Sequence, residues 1–320
     1  MQMQPLLPYC HDPYHGLTTL NPAHVAGLSL GDAIAQAEQE LGCVPKGRLA
    51  DLVMLFVTAC MLQRLEDRQG EPLLVVKGGL VSQDLLGERA RYTPDVDAAL
   101  RCSTSEFLQR LPEAFSKPWG QVHATLGEII ESPYGWCPYE MLVVHVLLEA
   151  DGCEPQDVTV DILCGPTAKN FSSRCSSVPA LSGVGLPEPH TFWTITPEAV
   201  VTEKIAACVD VNVFDLDDKK LLPIHAARAK HLVDLVWLSR MCDAGILSNK
   251  KVVDEVEGLR RCSTPVREER GFQPLPRMMR IKVWEGWRFV YLGAALQTGL
   301  NITMDEAVQE VNGWLERIGL

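Results

Sequence analysis

The sequence predicts an α+β fold: a small mixed β-sheet flanked by helices, followed by a helical C-terminal lobe. Three observations support this class. The short apolar run 72–76 ends at two glycines and predicts a buried strand. Further strand patterns occupy 121–131, 140–150 and 157–163. From residue 197 onward helical patterns dominate, so strands and helices are largely segregated along the chain.

Local signals place the remaining elements. Prolines at 5, 8, 13 and 22 predict an irregular arm over 1–28. Ser29 starts a helix that runs to about Leu41, and 47–69 carries an apolar stripe with helical spacing. Ser103 or Thr104 caps a further helix that ends near residue 115.

These elements predict a division of the chain into four segments. With 320 residues and 47% apolar composition, the chain is long enough for two lobes. Residues 1–28 form the arm and 29–173 an α/β lobe. The proline- and glycine-rich stretch 174–196 is the expected linker, and 197–320 is the expected helical lobe.

Composition limits the function classes. The formal net charge of −12 excludes a protein that coats nucleic acid nonspecifically, because such binding needs a broad excess of Lys and Arg. No stretch approaches the roughly 20 apolar residues that span a bilayer, so we expect no membrane partner. The 11 cysteines form no Cys-x-x-Cys pair and are expected to be reduced. A cytoplasmic location is therefore expected.

The first chemical signal is Lys77-Gly78-Gly79 at the end of the predicted strand 72–76. Glycines let backbone N–H groups approach a ligand closely, and a helix that starts here points its N-terminus at that ligand. This arrangement favours the phosphates of an NTP. Lys77 is expected either at a phosphate or at an exposed strand end.

The second signal is a set of carboxylates. Asp95 and Asp97 lie two apart in the next predicted strand, so their side chains share a face about 7 Å apart and suit a hard cation, Mg²⁺ or Mn²⁺. Asp161 stands in an apolar strand, where an unpaired carboxylate needs a partner or a function. If its strand lies beside theirs, Asp161 joins the metal site or accepts a proton; otherwise it is an edge residue facing water.

Three segments in order carry a family resemblance. The glycine pair with Arg91-Tyr92-Thr93-Pro94-Asp95-Val96-Asp97 resembles the motif of the AbiEii/AbiGii-type nucleotidyltransferase toxin family, which includes MenT-like proteins. The stretch 197–207, with Glu203-Lys204, and the stretch 228–235 resemble two later motifs of that family. The resemblance spans about 70–240. His231 departs from it, because the family usually has Asp there.

The resemblance implies a metal-dependent transfer of a nucleotide from an NTP to an RNA, such as a tRNA 3′ end, or to a protein. It also implies a toxin of a toxin–antitoxin system with a cognate antitoxin as partner. Glu203 is expected to orient Lys204 or Arg228. The expected catalytic residues are Asp95, Asp97, Asp161, Lys204 and Asp234, with Asp95 and Asp97 on the metal and Lys77, Gly78, Gly79, Arg91, Thr93 and Arg228 on the nucleotide.

Two other functions fit the same carboxylates. A metal-dependent nuclease would use them to hydrolyse a phosphodiester, and a nonenzymatic relative would bind only nucleotide or a partner, which His231 makes plausible. A basic and aromatic cluster around Trp284 and Trp287 is either a single-stranded RNA surface or ordinary helix packing with arginines in water. Packing is the favoured interpretation. The sequence names neither the NTP nor the acceptor.

Overall fold

The computed structural model describes residues 16–42, 47–131, 137–176, 180–210, 222–284 and 286–320, with the side chains of 222–226 left aside. Most of the expected N-terminal arm therefore lies outside the described residues. Within the described residues, no helix is long and apolar enough to cross a membrane.

One mixed sheet of seven strands organises the described chain, which confirms the expected α+β class. The strand order is β3-β4-β5-β2-β1-β7-β6. The pairs β2–β5 and β1–β7 are parallel, and the other four neighbouring pairs are antiparallel. The strands are β1 (Leu74–Lys77), β2 (Val96–Leu100), β3 (His123–Glu131), β4 (Met141–Glu149), β5 (Gln156–Leu163), β6 (Ser173–Ser176) and β7 (Phe192–Ile195).

Helices flank this sheet and make up the C-terminal part of the chain. The described helices are α1 (Leu30–Leu41), α2 (Arg48–Leu62), α3 (Gly78–Leu86), α4 (Thr104–Ala114), α5 (Gly165–Lys169), α6 (Pro197–Val209), α7 (Leu222–Asp243), α8 (Asn249–Glu269), α9 (Trp287–Thr298) and α10 (Met304–Ile318). Helix α2 is buried along nearly its whole length and packs against β2 and β5. Helix α6 packs against α7 and α8, and α7 also packs against α9 and α10. Helix α6 also packs against α3, and α5 packs against both β2 and α8, so these helices connect the sheet to the C-terminal helices.

Several element boundaries match their sequence signals. Ser29 and Ser103 cap α1 and α4 through their side chains, each accepting from a backbone N–H of the first turn. Thr196 does the same for α6. These caps replace the hydrogen bonds that the first helical N–H groups lack.

The expected linker 174–196 contains strand structure. Strand β7 lies inside it and pairs in parallel with β1, and β6 pairs with β7 at the edge of the sheet. Phe192 and Ile195 are buried, so this short strand is stabilised by burial against the core rather than by local propensity. The division into four segments stays a prediction.

The basic and aromatic cluster around Trp284 and Trp287 agrees with the favoured interpretation, which is helix packing with the arginines in water. Trp287 is wholly buried in the core, while Arg277, Arg280 and Arg288 are exposed. Phe289 differs from the expectation, because 85% of it is exposed.

Candidate functional site

A row of three charged side chains crosses the middle of the sheet. Lys77 of β1 is directly opposite Asp97 of β2, and Asp97 is directly opposite Asp161 of β5. Side chains opposite each other on neighbouring strands share a face and lie close together. Asp95 comes one residue before β2 begins. The sheet thus brings Asp161 beside the Asp95-x-Asp97 motif, as the sequence predicted for neighbouring strands.

Asp161 is an electrostatically costly carboxylate. Burial, together with the smaller effect of the negative charges of Asp97 and Asp95, raises its pKa to about 6. Its Oδ1 atom is buried and has no hydrogen-bond partner among the described residues. A carboxylate in this position, with one oxygen unpaired, is stabilised either by a bound cation or by protonation.

Asp97 is held ionised by its neighbours. Although burial alone would raise its pKa, the charges of Lys77, Lys204 and Lys230 and the backbone N–H of Gly79 lower it. Lys77 Nζ lies 3.7 Å from Asp97 Oδ1 and 2.9 Å from Glu203 Oε1. Burial alone would lower the pKa of Lys77, but Glu203 and Asp97 raise it. Both groups are therefore charged near neutral pH.

The glycine pair forms the start of α3 and touches the carboxylate motif. Gly78 has a left-handed backbone, φ +64°, and a Cβ atom at this position would overlap the Asp97 carboxylate. A Cβ at Gly79 would overlap the Thr93 hydroxyl. Thr93 Oγ1 in turn donates to Asp95 Oδ1 at 2.9 Å. Small residues are thus required for the motif to pack against the helix N-terminus.

Asp234 lies at the centre of a buried ion cluster. Arg91 donates to both of its oxygens, with Nε–Oδ1 and Nη2–Oδ2 distances of 3.0 Å, and Lys204 Nζ lies 3.2 Å from Oδ2. Burial alone would raise the pKa of Asp234, but Arg91 and Lys204 hold it well below its usual range. The Asp234 carboxylate is thus engaged by two cations of the protein itself.

His231 adjoins this cluster as a neutral imidazole. Its Nδ1 atom lies 3.9 Å from Asp234 Oδ2. Burial lowers its pKa well below the usual value, and the charge of Lys204 lowers it further. Arg91 and Lys204 already place two positive charges beside Asp234. The neutral His231 ring therefore avoids adding a third positive charge to this buried cluster.

The remaining predicted residues divide between two places. Arg228 lines a cavity of about 250 Å³ together with Lys77, Asp97 and Asp161. The guanidinium of Arg91 is occupied by Asp234, and Thr93 contacts Asp95. Arg91 and Thr93 therefore make their observed contacts with the protein's own carboxylates.

Sequence reasoning missed two charged neighbours of the carboxylates. Glu203 was expected to orient Lys204 or Arg228, but it pairs with Lys77 instead. Lys230 is partly buried and its charge acts on Asp95 and Asp97, while burial lowers its own pKa. The position of Lys230 inside segment 228–235, which resembles a family motif, is the sequence feature that could have indicated it as a site residue.

The carboxylates fit a hard divalent cation in charge and in donor type. The described residues contain no ready group of three or more His, Cys, Asp or Glu side chains arranged around one point. Asp95 and Asp97 nonetheless place negative charge next to Asp161, and this charge contributes, after burial, to the rise of the pKa of Asp161 to about 6. Carboxylate oxygens are the donors that Mg²⁺ and Mn²⁺ prefer.

Comparison with known proteins identifies the family. The family described as "Nucleotidyl transferase AbiEii toxin, Type IV TA system" matches residues 60–286, a stretch that contains every predicted site residue. The chain belongs to this AbiEii nucleotidyltransferase toxin family.

A structure comparison gives a more distant likeness. MenT4, a nucleotidyltransferase toxin from Mycobacterium tuberculosis H37Rv, is 18% identical with a TM-score of 0.42. The alignment covers 94% of this chain and 100% of MenT4. A search of curated proteins gave no match.

Replacing Asp161 with asparagine should stabilise the metal-free protein. The folded-state pKa of about 6 lies above the ordinary value of 3.8, so ionisation costs native stability above pH 6. In EDTA at neutral pH, we expect the free energy of unfolding of Asp161→Asn to exceed that of the wild type by about 1–3 kcal/mol. This difference should vanish below about pH 4, where Asp161 is protonated in both the folded and the unfolded state. Denaturant titration at several pH values measures it. Asp157→Asn, an exposed change on the same strand, is the control, and a destabilised Asp161→Asn would contradict the electrostatic account.

Replacing Gly78 with alanine should damage the site beyond the cost of backbone strain. The Cβ would overlap Asp97 in a left-handed backbone, so we expect a loss of about 1–3 kcal/mol of unfolding free energy and displacement of the carboxylate. Gly70→Ala has the same kind of backbone with open space around it and isolates the strain. Equal losses for the two variants, measured by denaturant unfolding, would show that the overlap with Asp97 is unimportant.

Proposed function

We propose that the protein is a metal-dependent nucleotidyltransferase that moves a nucleotide from an NTP to an acceptor hydroxyl on RNA, such as a tRNA 3′ end, or on protein. The observation that carries the proposal is the adjacency of Asp97 and Asp161 on paired strands beside the Gly78-Gly79 helix start. Its membership of a nucleotidyltransferase toxin family supports the same reaction class.

The reaction has a simple balance. The acceptor oxygen attacks the α-phosphorus, a P–O bond forms, and the bond from that phosphorus to the bridging oxygen of the β-phosphate breaks. Pyrophosphate leaves with the bonding electron pair, and the proton of the acceptor hydroxyl is transferred to Asp161. A carboxylate with a pKa of about 6 is suited to accept a proton near neutral pH.

Each further residue has a role suited to its contacts. Asp95 and Asp97 would hold Mg²⁺ or Mn²⁺, which neutralises triphosphate charge when bound. The start of α3 at Gly78 would offer helix N-terminal N–H groups to phosphate, while the N–H of Gly79 is already engaged by Asp97. Lys204 neutralises charge near Asp97, since its ammonium already lowers the pKa of that residue.

The other predicted residues position the groups that would contact the substrate or the metal. Asp234 positions Lys204 and Arg91, because both cations are bonded to it. Thr93 positions Asp95 through its hydroxyl. Lys77 is held beside Asp97 by Glu203, and Arg228 faces the cavity where substrate would enter. Asp234 is thus a positioning residue in this scheme.

The biological setting follows the family. We place the reaction in the cytoplasm, where NTPs and RNA acceptors are available, as the toxin half of a pair with a cognate antitoxin. Expression of the chain alone should then arrest growth, and an Asp97→Asn variant should not. Growth arrest by both forms would instead favour a nonenzymatic binding role.

The test identifies donor and acceptor together. Purified protein is incubated with each NTP, labelled at the α-phosphate, and with a total RNA and protein extract in Mg²⁺. We expect label from at least one NTP on one class of macromolecule, and no label in EDTA. RNA cleavage that needs no NTP, without labelling, would replace the transferase proposal with the nuclease alternative.

A further inference from the structure

A histidine and an aspartate lie on the same face of the sheet as the charged row. His145 of β4 is directly opposite Thr159 of β5. Asp157 lies two residues before Thr159 on that strand, and Asp161 lies two residues after it. Because side chains alternate between the two faces of a strand, His145 shares one face with both carboxylates. It is the diagonal neighbour of each, at the spacing of about 7–8 Å that such positions usually have.

The Asp157 carboxylate fixes the tautomer of the His145 ring. Both of its oxygens lie 3.2 Å from Nδ1. An ionised carboxylate only accepts hydrogen bonds, so Nδ1 carries the proton and donates it, and Nε2 is the acceptor of the neutral ring. Nε2 makes no hydrogen bond within the described part of the chain. The pair thus presents one oriented hydrogen-bond acceptor that the fold does not use.

This pair is accessible to a large substrate. The side chain of His145 is 31% exposed and that of Asp157 is 60% exposed. Neither residue lines the cavity that contains Asp97 and Asp161. On the β3 side the neighbouring position is Gly127, where a Cβ atom would come 3.3 Å from the Cβ of His145. Because glycine has no side chain, β3 places none against the histidine at this point.

We propose that His145 Nε2 accepts a hydrogen bond from one hydroxyl of the 3′-terminal ribose of an RNA acceptor while the neighbouring hydroxyl attacks beside Asp161. The inference rests on the proposed transfer reaction, in which Asp161 receives the proton of the attacking hydroxyl. His145 forms and breaks no covalent bond. Asp157 is its positioning residue, because it holds the ring in the tautomer that accepts.

The arrangement favours RNA over protein as the acceptor. The end of an RNA carries two neighbouring hydroxyls on one ribose, and this sheet face carries two separate hydrogen-bond acceptors, Asp161 and His145. A serine, threonine or tyrosine side chain has a single hydroxyl and would leave Nε2 unused. The pair would therefore make the enzyme sensitive to the hydroxyl that does not react.

The test uses RNA acceptors that differ in one hydroxyl. The 3′-terminal nucleotide of total small RNA is removed and restored in its ribo, 2′-deoxy or 3′-deoxy form. Each RNA is supplied to the full-length protein with α-labelled NTP in Mg²⁺. The deoxy form that lacks the attacking hydroxyl should accept nothing. The other deoxy form lacks only the hydroxyl bound by Nε2, and its kcat/KM should be about tenfold below that of the ribo form.

Replacing His145 should abolish this preference. His145→Ala should lose about tenfold in kcat/KM for the ribo form and should use the reactive deoxy form as well as the wild type does. The KM for NTP should stay within about twofold of the wild type, because the lost contact is to the acceptor. Asp157→Asn should cause a smaller loss in the same direction. His123→Ala is the matched control, an exposed histidine on the same sheet face that should change neither constant.

The preference between the two reactive RNA forms separates this role from a structural one. A loss of stability lowers transfer to both forms equally, whereas a lost contact to one hydroxyl lowers transfer to the ribo form alone. A His145→Ala protein that keeps the preference, or a wild type that shows none, would overturn the inference and leave the transfer reaction standing. Label that appears only on protein would do the same. A wild type that transfers nothing to any acceptor would overturn the proposed function and this inference together.

Discussion

Replacing Asp97 with asparagine should reduce nucleotide transfer by about a thousandfold while the protein stays folded. Asp97 occupies the centre of the charged row, opposite both Lys77 and Asp161. Asparagine keeps the shape but removes the charge that would hold the metal. Lys77 keeps its 2.9 Å contact with Glu203, so the change leaves Lys77 with a carboxylate partner.

Initial rates with α-labelled NTP measure this loss, and circular dichroism checks the fold. Asp254→Asn is a suitable control, because Asp254 pairs with Lys250 on the exposed surface of α8. That variant should transfer at the wild-type rate. An Asp97→Asn protein that retains activity within about tenfold of the wild type would remove Asp97 from the catalytic centre.

Asp234→Asn should lower the free energy of unfolding by about 3–5 kcal/mol. The carboxylate is wholly buried and is bonded to Arg91 and to Lys204. Asparagine would leave two buried cations without a countercharge, which costs far more than the loss of a surface pair. Because the folded-state pKa lies well below the ordinary value, this stabilisation is present above about pH 4 and is lost only as the pH falls further.

Denaturant unfolding between about pH 5 and pH 8 measures this second effect. Asp305→Asn is the matched control, since Asp305 pairs with Arg288 on the surface and should cost less than about 1 kcal/mol. A similar small loss for Asp234→Asn would mean that Arg91 and Lys204 find other partners. The positioning role of Asp234 would then be unsupported.

Local pattern was enough to locate much of the fold and the motif residues. The strand 72–76, the helix starts at Ser29 and Ser103, and the Asp95-x-Asp97 pair each depend on neighbours within a few residues. These features can be predicted from the sequence because helix caps and strand alternation depend on residues close together in the chain.

Long-range contacts explain what local pattern missed. The salt bridge between Arg91 and Asp234 joins residues 143 positions apart, and no periodicity indicates it. The pairing of Lys77 on β1 with Glu203 on α6 likewise joins distant parts of the chain. Whether a buried polar atom such as Asp161 Oδ1 has a hydrogen-bond partner is a property of the packed structure and is invisible in the sequence.

The proposed reaction transfers a nucleotidyl group from the NTP rather than its terminal phosphate. The most direct measurement compares NTP labelled at the α-phosphate with NTP labelled at the γ-phosphate, using the same acceptor extract in Mg²⁺. We predict acceptor labelling from the α-labelled NTP and release of the γ-label as pyrophosphate. Acceptor labelling from the γ-phosphate, or none from the α-phosphate with any NTP, would contradict nucleotidyl transfer at the site formed by Asp97 and Asp161.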